Sequence, residues 1–337
     1  MKRKEIESII NSDHRNIAGM AVLKNGDMQY ERYFNNCTAN SRIHVYSVSK
    51  SIISTLIGIA IDRGCIQSID QKVLDFFPNY TPKNNEQTIR DVTLKDMLTM
   101  SVPYKYKFPP YTHMKYFMSN DWVKFTLNLI GGKKPIGEFR YTPLIGPDIF
   151  SGILVTATGQ PVLDFATENL FSPLGIDVDD NIVFSTAKEQ FAFNKATNIS
   201  GWVSDKMGVN SGGWGLTLSA MDMAKIGQLY LDGGSHKGKQ IVSSNWIDES
   251  TKEHGRWEKV SLAYGYLWWV IDDKERTFAA IGDGGNMIYV NKKKNTVVSI
   301  ASIFDPKIKD RTDLVQSKIE LIKKYIEPMA LTEEKIK

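Results

Sequence analysis

The sequence predicts an α+β fold of the α/β-sandwich type. An antiparallel sheet is built from both ends of the chain and flanked by helices, with a mainly helical segment inserted in the middle. Three observations predict it. Strand-like stretches lie near the start, at residues 18–23 and 28–34, and again near the end, at 265–271, at 278–281 continuing through 286–290, and at 296–303. Between about 68 and 211 the pattern is helical or irregular. The last element repeats Val315, Ile319, Ile322 and Ile326 on a single apolar helix face.

Taken in order, the first two strands meet at Asn25-Gly26, a pair that tolerates the positive φ angles of a type I′ hairpin turn. Residues 52–61 are almost wholly apolar and stop at Asp62-Arg63-Gly64. That is the pattern of a buried helix closed by a C′ glycine. Helices are expected at 93–100, 121–129, 149–158 and 161–170. Ser219-Ala-Met-Asp222 has the form of a capping box, with Asp for the usual Glu, and opens a helix to about 231. Lys292-Lys293-Lys294 falls between two strands and reads as a solvated turn. Pro328 is expected to end the last helix. The expected division is a sheet domain from 1–46 and 212–337 and a helical domain from 47–211, with a cleft at the seam, close to Ser47.

The 337 residues allow one large domain or two ordinary ones, and a core that needs no disulfide or metal staple. Hydrophobic content of 42% and charged content of 24% are those of a soluble globular chain. Cys37 and Cys65 read as reduced packing residues, which favours a reducing, cytoplasmic setting. Residues 1–16 lack the apolar core of a signal peptide, and no stretch is long enough to span a membrane. A net charge of +4 without a basic face argues against nucleic acid as a partner. The five histidines lack metal-ligand spacing, and there is no Cys-x-x-Cys, Gly-x-Ser-x-Gly or P-loop. No metal and no cofactor is expected.

The segment with chemical content is Tyr46-Ser-Val-Ser-Lys50, at the mouth of the apolar helix. Three residues apart, Ser47 and Lys50 share a face. A hydroxyl beside a desolvated amine is a nucleophile with its base. The same four residues also fit a serine that caps the helix and a lysine on the surface. Other aromatic groups are Tyr264, Tyr266, Trp268 and Trp269, read as an alternating strand, and Tyr104, Tyr106, Phe108 and Tyr111, read as a loop over the cleft.

With these pieces in order, the chain resembles the serine β-lactamase and penicillin-binding-protein superfamily. The likeness is to the branch of class C β-lactamases, esterases and 6-aminohexanoate-dimer hydrolases, and it runs from about residue 18 to 304. It rests on Tyr46-Ser-Val-Ser-Lys50, on Gly64-Cys-Ile-Gln-Ser-Ile-Asp70 through Lys72-Val-Leu-Asp-Phe-Phe-Pro78, and on Thr93-Leu-Lys-Asp-Met-Leu-Thr-Met100. Phe139-Arg-Tyr141, Thr158-Gly159, Phe171-Ser-Pro-Leu-Gly175 and Gly212-Gly-Trp-Gly-Leu216 follow in order. The resemblance implies a serine hydrolase working through an acyl-enzyme on a small ester, amide or short peptide-like substrate. Ser47 would be the nucleophile, with Lys50 and Tyr141 handling protons, the phenol lowered by the nearby lysine charge. Ala280-Ile-Gly-Asp-Gly-Gly-Asn286 stands where the family has its Lys-Thr-Gly or His-x-Gly strand. Asp283, Gly284 and Gly285 would then line the cleft, with the N–H groups of Ser47 and Gly285 as oxyanion hole.

Two positions depart from the pattern. Pro143 replaces the Asn or Ser of Tyr-x-Asn or Tyr-Ser-Ser, and Gly282 replaces the Lys or His. The departures keep open a penicillin-recognising sensor that acylates without turnover. They also predict a poor β-lactamase, unless Lys105 or Lys107 supplies the missing cation.

Overall fold

The computed structural model describes residues 3–83, 86–105, 109–306 and 311–331. The first helix, α1 (Arg3–Asp13), leads into β1 (Ile17–Lys24) and β2 (Asp27–Tyr33). Asn25 and Gly26 both adopt positive φ, 52° and 82°, as the hairpin turn requires. Helix α2 (Val48–Asp62) follows and is buried from Val48 through Ala60. Gly64, at φ 73°, lies just beyond its C-cap. Helices α3 (Pro109–Met118) and α4 (Asp148–Thr158) lie in the middle of the chain. Helix α5 (Ala220–Leu231) opens on the expected capping box between Ser219 and Asp222.

Strands β3 (Gly255–Trp257), β4 (Leu262–Tyr264), β5 (Trp269–Asp272), β6 (Thr277–Gly282), β7 (Asn286–Asn291) and β8 (Thr296–Ser302) come next, then α6 (Arg311–Leu321). The strands form one eight-stranded sheet in the order β2-β1-β8-β7-β6-β5-β4-β3, antiparallel throughout. The amino-terminal hairpin is thus stitched to the carboxy-terminal strand, as expected from strands at both ends. β1, β7 and β8 are almost wholly buried, because helices cover both faces of the middle of the sheet. Gly227 of α5 sits directly on it: a Cβ there would lie 2.5 Å from Val297 and 2.9 Å from Ile288.

Several elements differ from the sequence reading. The aromatic stretch at 265–271 is not one strand. Leu262–Tyr264 and Trp269–Asp272 pair with each other, and residues 265–268 turn between them, with Leu267 at φ 61°. Gly265 makes that turn possible, since a Cβ there would lie 2.1 Å from the Ser250 carbonyl. Residues 278–290 are not one strand either. Gly284 (φ 76°) and Gly285 (φ 84°) reverse the chain, so β6 and β7 form a hairpin. The expected helix at 161–170 is α-helical over Val162–Ala166 and widens to a π turn over Thr167–Phe171. Pro328 does not end the last helix. A π turn at Ile322–Ile326 precedes it, and the helix resumes over Glu327–Leu331. The wider turn opens the hydrogen-bond ladder where proline has no N–H to give. The region 47–211 also holds a short parallel pair, Asp180–Ile182 with Gly201–Val203. Cys37 is buried as expected, but Cys65 is exposed. Among the described residues no single helix is long and apolar enough to cross a membrane.

Candidate active site

The site starts at a backbone irregularity. Tyr46 has φ 51°, a left-handed conformation that a bulky residue adopts at a cost. Its ring stacks on His44 at 3.8 Å and on Phe304 at 5.5 Å between centroids. That turn sets Ser47 at the first corner of α2. Ser47 holds the N-cap position, yet its side chain makes no capping hydrogen bond. The hydroxyl points instead to Lys50, whose Nζ donates to Ser47 Oγ at 2.7 Å. Lys50 is 1% exposed and also donates to the carbonyls of Pro143 at 2.8 Å and Gly213 at 3.2 Å. The capping-serine and surface-lysine reading is therefore wrong at both residues.

The proline at 143 costs the site a side-chain amide, but its carbonyl takes up the lysine. Burial pushes the Lys50 amine down to about 7, against the pull of the Asp148 carboxylate. The neutral form, free to accept a proton, is therefore populated near neutral pH. Asp148, at the start of α4, is itself 1% exposed and accepts from the Gly212 N–H at 3.0 Å. Burial lifts it to about 6, opposed by hydrogen bonds from Gly212, Tyr116 and Ser211. No reading of the sequence singled out Asp148. Its only signal was an acid in the first turn of an otherwise apolar helix.

Tyr141 lies beside the pair. Its ring centroid is 5.3 Å from Lys50 Nζ, and its hydroxyl hydrogen-bonds to Ser47. The ring is held in an aromatic wall with Trp257 at 5.8 Å and Trp269 at 5.2 Å. Its expected acidity is overturned. Burial raises the phenol to about 12, outweighing the hydrogen bond to Ser47, and Asp283 pushes the same way. Tyr141 is thus protonated at neutral pH, and Lys50 is the group of the pair whose neutral form is populated there.

Ser47 and Tyr141 open into a cavity of about 450 Å³, within the usual range for small-molecule sites. Asp283, Gly284 and Gly285 line it, as expected, together with Phe117, Trp214 and Leu314. His44 also lines it, but both ring nitrogens are engaged. Nε2 accepts from the Gly215 N–H at 2.9 Å and Nδ1 meets Asn194 Oδ1 at 3.0 Å. Burial holds it neutral, down to about 3. Among the described residues that line the cavity there is no lysine or arginine. Gly282 leaves no room for a cation, since a Cβ there would lie 2.1 Å from the Val45 carbonyl. Lys105 is ion-paired to Glu86 at 2.9 Å, and Lys107 lies outside the described residues. The aromatic loop expected over the cleft is corrected in the same way. Tyr106 and Phe108 lie outside the described residues, Tyr104 does not line the cavity, and Tyr111 is 52% exposed on α3. The contribution of that region comes from His113 and Phe117 of α3.

Residues 4–320 match the family described as Beta-lactamase. The chain belongs to the β-lactamase family. The chain is 23% identical over 307 residues to the 6-aminohexanoate-dimer hydrolase of Paenarthrobacter ureafaciens, covering 85% of this chain and 72% of that one. The fold is shared with the octameric penicillin-binding protein homologue from Pyrococcus abyssi, at TM-score 0.70 and 17% identity over 96% of this chain and 78% of that one. A family VIII carboxylesterase matches at TM-score 0.66 and 16% identity, over 95% and 96%. The mixed α+β architecture with an antiparallel sheet is therefore the fold of this β-lactamase family member, as the resemblance implied.

Proposed function

We propose that this β-lactamase family member is a serine hydrolase that acts on small esters or unconjugated amides through an acyl-enzyme. The observation that carries the reading is the contact of a fully buried amine with the Ser47 hydroxyl at 2.7 Å. The neutral Lys50 amine takes the Ser47 proton as Oγ attacks the substrate carbonyl. The N–H groups of Ser47 and Gly285 hold the oxyanion. The Tyr141 phenol, protonated at neutral pH, gives its proton to the leaving group and is reprotonated from the Lys50 ammonium. Water then releases the acyl group. The substrate is small and apolar at its acyl end, as the cavity walls require. A cytoplasmic setting and a helical unit at 47–211 remain parts of this proposal.

The lining also argues against β-lactams. Among the described residues that line the cavity their carboxylate finds no lysine or arginine, and Asp283 repels it. A charge-assisted hydrogen bond contributes roughly 1.5–3 kcal/mol, so the missing partner lowers kcat/KM about 10–100-fold. On one preparation, kcat/KM for nitrocefin is expected to fall below that for p-nitrophenyl butyrate by at least that factor. Steady turnover of the ester is expected. Efficient nitrocefin hydrolysis would move the protein to the lactamase side, and a single burst without turnover would make it a sensor.

A pH profile follows from the Lys50 amine. Only its neutral form accepts a proton, and that form grows as pH rises through about 7. kcat/KM for p-nitrophenyl butyrate should therefore rise about tenfold per pH unit below 7 and level off above it. A flat profile between about pH 5 and 8 would exclude Lys50 as the base.

A further inference from the structure

Behind the glycine turn that lines the cavity lies a polar cluster that the mechanism above does not use. Lys318 of α6 is completely buried, and its Nζ donates to Asn16 Oδ1 at 3.0 Å. Asn16 Nδ2 donates to the carbonyls of Gly284 at 2.6 Å and Ile303 at 3.2 Å. Its backbone carbonyl accepts from the Ile303 N–H at 2.8 Å, so Asn16 is fixed to the end of β8. The stem of Lys318 closes the other side. A Cβ on Gly285 would meet Lys318 Cε at 3.0 Å and Cγ at 3.2 Å. Neither Asn16 nor Lys318 lines the cavity, whereas Gly284 and Gly285 do.

The carbonyl of Gly284 and the N–H of Gly285 belong to one peptide plane. In a trans peptide they point to opposite sides, and this bond is trans. Whatever grips the Gly284 oxygen from behind aims the Gly285 N–H the other way. We infer that Asn16, held in orientation by Lys318, is a positioning residue that aims and polarises the Gly285 N–H toward the oxyanion. The orientation of the Asn16 amide follows from its partners. Two carbonyls can only accept, so Nδ2 must face them, and Oδ1 is left for the lysine. A hydrogen bond to the carbonyl of an amide also strengthens the donor at its nitrogen. Glycine makes this turn, at φ 76° and 84°, without the strain an L side chain would carry there, but glycine is also the residue least able to hold it. The strut from the amino-terminal loop and the carboxy-terminal helix supplies the rigidity. This inference rests on the serine-hydrolase reading.

The test uses Asn16→Leu, Asn16→Asp and Lys318→Met in the full chain, with p-nitrophenyl butyrate. Losing an oxyanion donor outright costs about 10²–10³ in rate, so a donor left in place but no longer aimed should cost about 10–100-fold in kcat. KM should stay within about threefold, because the interaction strengthens only in the transition state. Lys318→Met, which leaves the Asn16 amide in place, should show a smaller loss. Affinity for phenylboronic acid, which becomes tetrahedral on the serine, should fall in step with kcat, while affinity for butyrate does not. If Asn16→Leu does not fold, Asn16→Asp and Lys318→Met decide the matter. Folded variants with kcat unchanged, or with a loss confined to KM, would overturn the inference. A phosphonate label on Ser47 of the parent separates this from failure of the underlying reading. An unlabelled parent refutes the serine mechanism, whereas a labelled parent with unaffected Asn16 variants refutes only the strut.

Discussion

Ser47→Ala is expected to lower p-nitrophenyl butyrate turnover by at least about 10⁴-fold, as loss of a serine nucleophile does in other acyl-transfer enzymes. Covalent labelling by an activated phosphonate should disappear with it. The fold should survive, because the Ser47 hydroxyl caps nothing and its partners are the two neighbouring site residues, Lys50 and Tyr141. Mass spectrometry of the labelled protein and a melting curve check the two halves. Equal labelling of the variant would place the nucleophile elsewhere.

Lys50→Met carries the second large effect. General-base catalysis contributes about 10²–10⁴-fold, and the side chain that supplies it is removed without opening a large hole. Tyr141→Phe should lower turnover over a similar range, through loss of the leaving-group proton. Since the two act on one serine, the double variant should be little worse than either alone. Stability should fall as well, because methionine leaves the Pro143 and Gly213 carbonyls without their donor and the buried Asp148 carboxylate without the nearby amine. The melting temperature of Lys50→Met is therefore expected below the parent's, and turnover is compared on folded protein at a temperature below both transitions. A melting temperature above the parent's would contradict the structural part of this expectation. Near-parental activity of Tyr141→Phe would remove the phenol from the reaction.

The architecture was legible because its signals are local. The Asn25-Gly26 turn, the apolar run of α2 and the Ser219–Asp222 capping box each fix a short stretch by steric or hydrogen-bonding preferences of the residues themselves. The errors came where a residue far along the chain decides the backbone. The turn at 265–268 depends on the Ser250 carbonyl packed against Gly265. The β6–β7 reversal depends on two consecutive glycines in the left-handed region, which read equally well as an interruption in one strand. At Pro328 a π turn, invisible to a period of 3.6, absorbed the break.

The candidate site divides along the same line. By itself the sequence determined that a serine and a lysine share the first turn of a buried helix, a fact of spacing and residue type. That Pro143 and Gly282 stand where related chains carry polar side chains is what the family resemblance implied. Only the tertiary structure decided the protonation of the site. The Lys50 amine falls to about 7 and the Tyr141 phenol rises to about 12 because protein packs around both, fully at Lys50 and on one side of Tyr141, and such packing is a property of the assembled fold. It also decided that the Pro143 carbonyl takes the lysine, that Asp148 lies within reach of its charge, and that Asn16 and Lys318, 302 residues apart, meet behind one peptide bond. No local pattern encodes such meetings, because what sets them is how the sheet joins the two ends of the chain.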